Sequence, residues 1–317
     1  MTGLCPLLFL LFCISGACSA FKICAFHVKN LDIDKSANYA VMHTLTRVVS
    51  RCDICLLQDV KDKRGKITSA LVGRLNRYRS SYDDSYYYKS VASGLLGSTP
   101  NDTEQYVYFY RNETVQLIDQ YQYADKKNDF ERDPFVVRFQ AKDTVVEDFA
   151  LIPLHTEAIE ATNEIDKLYD VFQEVKLKWK TTQVMFLGTL NAACGHMTRK
   201  DKANIRLFSI PGFYWLIGDK VDTTVAANSN CAYDRIVIHG QSFLKAIVPY
   251  SAGVFNIAKE YKLSVRKALD VSDHFPVEVE LKTRSSGQIQ AQVQPVLLIA
   301  IFVATYVLHI LPLTNVV

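Results

Sequence analysis

Between Phe21 and about residue 284, short apolar runs alternate with longer stretches of helical periodicity. Runs of apolar residues that are continuous or alternate at period two predict strands. They are expected at Phe21–Val28, Ile54–Leu57, Tyr106–Tyr110, Pro134–Phe139, Phe149–Leu154, Val184–Leu187, Ile236–Ile238 and Val277–Leu281. Helices are expected at Ala37–Val49, where Ala37, Val41, Leu45 and Val48 recur at helical spacing, at Ile67–Leu75 and at Ile165–Trp179. Strands outnumber helices. Two sheets packed on each other, with helices outside, satisfy that ratio. No Pro/Ser-rich linker interrupts residues 21–284, which are read as one α/β domain.

The two ends follow a different pattern. The 317 residues carry 36 Lys+Arg and 33 Asp+Glu, yet none of these charges falls in residues 1–20 or after Arg284. Residues 1–20 read as a secretory signal: the apolar run Leu7–Ile14 is too short to span a bilayer, and Cys18-Ser19-Ala20 resembles a cleavage site. At the other end, Ser285-Ser286-Gly287 is followed by the polar spacer Gln288–Pro295 and an apolar tail, Val296–Val317. Small triplet, spacer and terminal tail is the pattern of a GPI-attachment signal. A transmembrane helix over Val296–Leu313 is the competing reading, but no Lys or Arg follows it to hold a cytoplasmic side. The expected location is therefore the secretory pathway, ending outside the cell or on its surface. A hydrophobic fraction of 49% with 22% charged residues excludes a disordered chain, and a net charge of +3 is too small to argue for nucleic acid by itself.

Secretion changes how cysteine and asparagine are read. Cys5, Cys13 and Cys18 leave with the signal, and Cys24, Cys52, Cys55, Cys194 and Cys231 remain. The odd number allows at most two disulfides within the chain. Cys52 and Cys55 form a lone CxxC in an apolar run and are expected to be buried core cysteines. Asn101-Asp102-Thr103 and Asn112-Glu113-Thr114 are glycosylation sequons.

Groups capable of chemistry gather at strand ends. Pro153-Leu154 runs into His155, Leu187-Gly188-Thr189-Leu190 into Asn191, and Leu57-Gln58 into Asp59. Asp234-Arg235 opens one strand, and Asp273-His274 precedes another. Any one of these is an ordinary turn or surface pair taken alone. Together they supply two imidazoles and several carboxylates where the backbone is rigid but exposed. Phosphate-ester hydrolysis needs such a set: a group to activate water, a group to protonate the leaving oxygen, and a cation to offset phosphate charge.

Specific segments then carry a resemblance. Cys231-Ala232-Tyr233-Asp234-Arg235, Ser272-Asp273-His274-Phe275-Pro276-Val277-Glu278-Val279, Val-Tyr-Phe-Tyr-Arg at 107–111 and Pro153-Leu154-His155-Thr156 are similar to the secreted deoxyribonuclease I family, most of all its deoxyribonuclease-I-like-1 branch. The resemblance implies a four-layered α/β sandwich and a monomeric endonuclease that takes Mg²⁺ and Ca²⁺, with Mn²⁺ as a further option, and DNA as partner. It implies two carboxylate–imidazole pairs, Glu104 with His155 and Asp234 with His274, as acid and base. It further implies Asp59 and Asp273 as metal ligands, Asn191, Lys61 and Arg132 as phosphate or DNA contacts, and a disulfide between Cys194 and Cys231.

This chain departs from the family pattern inside the cleft. Thr189 stands where a carboxylate contacts metal or phosphate, His27 where the first strand ends in Asn, and Asp59 where Glu is usual. Asp102 replaces a DNA-facing Tyr, and Lys61 an Arg. His27 is expected to be a neutral structural residue, with a role as a new metal ligand as the second reading. The expected function is a deoxyribonuclease of reduced activity. The alternative is an impaired member that binds DNA or a partner at the cell surface, and a phosphatase acting on small substrates or lipid headgroups ranks third.

Overall fold

The computed structural model describes residues 20–80, 87–99 and 102–284. The readings made for residues 1–19 and 285–317, and for Asn101, lie outside the described residues. Twelve strands occur among them: β1 (Phe21–Leu31), β2 (Ile54–Val60), β3 (Tyr88–Ala92), β4 (Gln105–Arg111), β5 (Gln116–Gln122), β6 (Phe135–Gln140), β7 (Asp148–Pro153), β8 (Val184–Thr189), β9 (Phe213–Trp215), β10 (Asp234–His239), β11 (Gly253–Val254) and β12 (Val277–Leu281). They form two six-stranded sheets, ordered β11-β12-β1-β2-β4-β3 and β5-β6-β7-β8-β10-β9. Each sheet holds one central parallel pair, β1–β2 and β7–β8, among antiparallel neighbours.

Period-two alternation builds the layers. Ile23 and Ala25 of β1, Ile54 and Leu56 of β2, Met185 and Leu187 of β8 and Ile236 and Ile238 of β10 meet in one core between the sheets. The alternate residues face outward. Helix α1 (Ile33–Ala37) buries no residue, and Cys24, Phe26, Cys55 and Leu57 pack beneath α2 (Tyr39–Val49) and α3 (Lys66–Ser80), chiefly against Leu45, Val48 and Leu71. Phe186 and Val237 pack beneath α4 (Ala161–Trp179), against Leu168 and Val175. The result is the expected four-layered α/β sandwich, with an apolar core on both faces of each sheet. Among the described residues no helix is long and apolar enough to cross a membrane.

The differences from expectation have local causes. The helix expected over Ala37–Val49 is split at Asn38, whose side chain accepts the N–H groups of Ala40 and Val41 and so caps α2. Strand β5 was not foreseen because it is a polar, largely exposed strand at a sheet edge, and β9 and β11 are too short to show a period. Cys52 and Cys55 are both buried, as expected, and Cys52 is bonded to Cys24. Cys55 is the free thiol among the described residues. The Cys194–Cys231 disulfide is present as the resemblance implied.

Strands β1 and β2 both outrun their apolar patterns, and the extra residues matter most. Their register jumps between the pairs His27–Gln58 and Leu31–Val60. Lys29, Asn30 and Asp59 adopt positive φ values of 45°, 51° and 60° in this bulge. The Asp59 carboxylate accepts the Asn30 N–H at 2.5 Å, closing it. Bulges of this kind re-aim side chains at functional edges.

Candidate active site

The cleft lies where the ends of both sheets meet, and Gln58 ties them together. This fully buried side chain donates from Nε2 to the Leu154 carbonyl at 2.9 Å and accepts the Thr189 N–H at 3.0 Å through Oε1. Strand β2 of one sheet is thereby fastened to β7 and β8 of the other. Gly188 (φ 126°) allows the approach: a Cβ there would stand 2.5 Å from Gln58 Nε2 and 2.6 Å from the Leu154 oxygen. His155, one residue past Leu154, is pinned through its backbone N–H to the Tyr106 hydroxyl at 2.9 Å.

Two carboxylate–imidazole pairs result. His155 Nδ1 lies 2.9 Å from both carboxylate oxygens of Glu104, which is 2% exposed. Arg132 Nε lies 2.8 Å from the same carboxylate. Burial disfavours the Glu104 charge, but His155 and Arg132 outweigh it and hold the carboxyl below its ordinary pKa. Across the cleft, His274 Nδ1 lies 2.8 Å from Asp234 Oδ2. An ionised carboxylate only accepts, so Nδ1 carries the proton in both pairs and each Nε2 is left free for chemistry. Burial opposes a charged His274, yet the Asp234 carboxylate prevails and raises the ring's affinity for a proton.

Thr189 holds a place in this second pair. Its hydroxyl donates to Asp234 Oδ1 at 2.8 Å, so both carboxylate oxygens are occupied. The position that lacks a carboxylate thus supports one instead. Behind it, Arg235 is 1% exposed and bonds the carbonyls of Ala192, Ile217 and Ala232 together with Asp219. The Asp234-Arg235 pair reads in sequence as a surface turn. In the fold, Arg235 fastens the loops that carry Asn191 and Cys231.

His27 sits between the two histidines. Its ring centroid is 4.6 Å from that of His155 and 4.4 Å from that of His274. Burial, then the neighbouring imidazoles, push its pKa well below the ordinary value, so the ring is neutral. Its backbone carbonyl accepts the hydroxyl of Ser272, which also receives the His274 N–H at 3.0 Å. Ser272 therefore holds His27 and His274 in one frame.

Of the remaining expected residues, Asn112 follows the end of β4 opposite to Glu104, and the others lie near the two pairs. Asp59 is buried, with Oδ2 3.8 Å from His27 Nε2. Asp273 Oδ2 accepts from Lys29 Nζ at 2.6 Å, while Oδ1 is buried without a partner. A carboxylate oxygen left without a donor is suited to a divalent cation. Asn191, in a positive-φ conformation, donates to the carbonyl and hydroxyl of Thr156 beside His155. Lys61 pairs with Asp102 at 2.8 Å, so the negative charge of Asp102 is locally neutralised. Arg132 is only 7% exposed and lies behind Glu104. Asn112 is half-buried and accepts the Tyr87 N–H through Oδ1.

Gln58, Tyr106 and Ser272 had no role in the sequence reading. A Gln ending an apolar strand and a Ser before Asp-His are signals, but only three-dimensional partners distinguish them from turn residues.

The chain is similar to known proteins. Residues 26–274 match the model of the Endonuclease/Exonuclease/phosphatase family. Human deoxyribonuclease gamma is 43% identical over 284 residues, covering 88% of this chain and 92% of the relative. Human deoxyribonuclease-1-like 1 is 39% identical over 293 residues, covering 92% and 94%. The resemblance to the 1-like 1 branch is borne out, with deoxyribonuclease gamma at a similar level of identity. Among solved structures, the catalytic domain of human Nocturnin superposes with a TM-score of 0.55 at 13% identity, covering 84% of this chain and 95% of that one. A mannosyl-6-phosphatase of Bacteroides thetaiotaomicron gives 0.54 at 16%, covering 83% and 100%. At that identity the likeness concerns the fold.

Proposed function

This chain belongs to the deoxyribonuclease I family, within the endonuclease/exonuclease/phosphatase family, and we propose that it hydrolyses DNA phosphodiester bonds as a divalent-metal-dependent endonuclease outside the cell. One observation carries the reading: two imidazoles, each held by a buried carboxylate, converge on one cleft. Attack on phosphorus needs a base for the water and an acid for the departing oxygen. Asp234 strengthens proton binding at His274, which suits it to donate a proton to the leaving oxygen. His155, with Nδ1 held by Glu104, is left to take the proton of the attacking water at Nε2. Each carboxylate also keeps its ring in the tautomer that the transfer requires.

The donors fit a cation. Asp273 Oδ1 is buried without a partner, and Asp59 lies buried near Glu104, whose charge works with burial to raise the Asp59 pKa. Asp59 and Asp273 would hold Mg²⁺, with Ca²⁺ in support or Mn²⁺ in its place, and the ion would supply positive charge against the phosphate. Asn191 and Lys61 serve the DNA backbone, and Arg132 adds positive charge from behind Glu104. Thr189 in place of a carboxylate lowers the rate. The loss of one electrostatic contact of this type costs about two to three powers of ten.

Plasmid nicking by purified protein in Mg²⁺, Ca²⁺ or Mn²⁺ tests the assignment. Cleavage should exceed that of His155→Ala by about a hundredfold or more. Nicking no greater than in that variant, in every metal, would overturn the nuclease reading. Export through residues 1–20, glycosylation at Asn101 and Asn112, and a lipid anchor added in 285–317 complete the proposal. Release from expressing cells by a GPI-specific phospholipase supports the anchor, and retention points to a membrane-spanning tail.

A further inference from the structure

The surroundings of His274 contain a donor set unlike the oxygen ligands that hard cations prefer. A ring nitrogen of His27, a carboxylate oxygen of Asp273 and a ring nitrogen of His274 all lie within 4.8 Å of one another. Their other bonds leave these donors free. His274 is anchored through Nδ1 to Asp234, so Nε2 remains, 3.9 Å from Asp273 Oδ1. Asp273 is anchored through Oδ2 to Lys29, and Oδ1 is buried and unbonded. His27 is 6% exposed, and its Nδ1 is buried with no hydrogen-bond partner. A buried imidazole nitrogen without a partner costs stability.

We propose that His27, Asp273 and His274 form a site for a borderline late first-row cation such as Zn²⁺, and that filling it opposes cleavage by capturing the free nitrogen of His274. Imidazole nitrogen favours Zn²⁺, whereas Mg²⁺ and Ca²⁺ favour carboxylate, carbonyl and water oxygens. Two imidazoles and one carboxylate are a common three-ligand set for zinc, leaving a fourth position to water. Asp234 behind His274 completes a carboxylate–imidazole–metal arrangement, which orients the ring and increases its donor strength. A His274 nitrogen bound to a cation can neither hold nor deliver a proton. The same contacts that fit His274 for proton transfer therefore expose it to this cation, and His27 is the residue that completes the set.

The inhibitory consequence rests on the nuclease reading, whereas the binding does not, and the two are measured separately. Calorimetric titration of the DNA-free protein with ZnCl₂ should show one ion per chain. His27→Asn should weaken its binding by about tenfold or more, and Asp273→Asn, at a partly exposed position, should do likewise. With Co²⁺ as the probe, visible ligand-field bands should appear in the parent and be lost or shifted in His27→Asn. Circular dichroism establishes that both variants are folded. Absence of Zn²⁺ binding in the parent, or equal binding by the parent and both variants, overturns the site. Zn²⁺ binding lost on His27→Asn in a protein that nicks no plasmid supports the site while the nuclease reading fails. Nicking in Mg²⁺ that persists with Zn²⁺ bound overturns the inhibitory role.

Discussion

At the scale of single residues, the departures from the family pattern acquire definite partners. Thr189 donates to Asp234, His27 fills the space between His155 and His274, and Asp102 is matched by Lys61. Thr189→Val keeps the shape and removes the donor, leaving Asp234 Oδ1 without that bond. We expect a stability loss of about 1–3 kcal/mol and a fall in kcat, read from denaturant unfolding and from nicking rates. Unchanged values would show that the hydroxyl plays no part. Glu164, at the start of α4, is buried with Oε1 on the Glu157 N–H and Oε2 unpartnered. Burial pushes its carboxyl from an ordinary 4.5 up to about 8. A raised carboxyl favours the folded state while protonated, so its contribution is complete below 4.5 and lost as the pH climbs through about 8. Glu164→Gln should therefore raise Tm by a few degrees at about pH 9 and leave it nearly unchanged at about pH 4. Thermal scans at both values decide it, and an equal effect at each would contradict the burial account.

At the scale of elements, the site depends on one crossbar and one bulge. Gln58 carries side-chain bonds from β2 to Leu154 and Thr189, on the strand ends that lead to His155 and Asn191. Replacing it with Leu removes both and leaves a buried carbonyl and a buried N–H unpaired. The expected loss is about 2 kcal/mol or more, with a larger fall in kcat than in substrate binding because the histidines lose their spacing. Urea unfolding together with steady-state nicking separates the two effects. A variant with the parent's stability and rate would remove Gln58 from the positioning framework. The β1–β2 bulge belongs to the same scale. Its apolar pattern ends at Val28 and Leu57, while the chemistry sits in the residues that continue beyond it with positive φ.

At the scale of the whole molecule, two disulfides close different layers. Cys24–Cys52 joins β1 to the segment entering β2, and Cys194–Cys231 closes a 37-residue separation beside Asp234. A closed loop of that size stabilises by roughly 4 kcal/mol in the chain-entropy model. Replacing Cys194 and Cys231 together by Ser should lower unfolding stability by about that much. It should also loosen the loops held by Arg235, as denaturant titration and limited proteolysis would show. The Cys55 thiol is buried, and desolvation raises its pKa. A thiol reagent should therefore find no reactive group in the folded domain from Phe21 onward, and one after unfolding without reductant. Reaction in the native state would place Cys55 at the surface.

Local pattern alone determined the strand periodicity, the two-sheet architecture and the residue types needed for phosphate chemistry, because burial on alternate faces leaves its mark within a few residues. The family segments added the pairing of Glu104 with His155 and of Asp234 with His274. Tertiary structure decided what no local pattern encodes. It brought Gln58 to Thr189 across 131 positions, His27 between two catalytic candidates, and Cys24 to Cys52 rather than leaving the CxxC unpaired. Such contacts depend on which strands become neighbours and on where a bulge turns a side chain, and those choices are made by packing the whole sandwich.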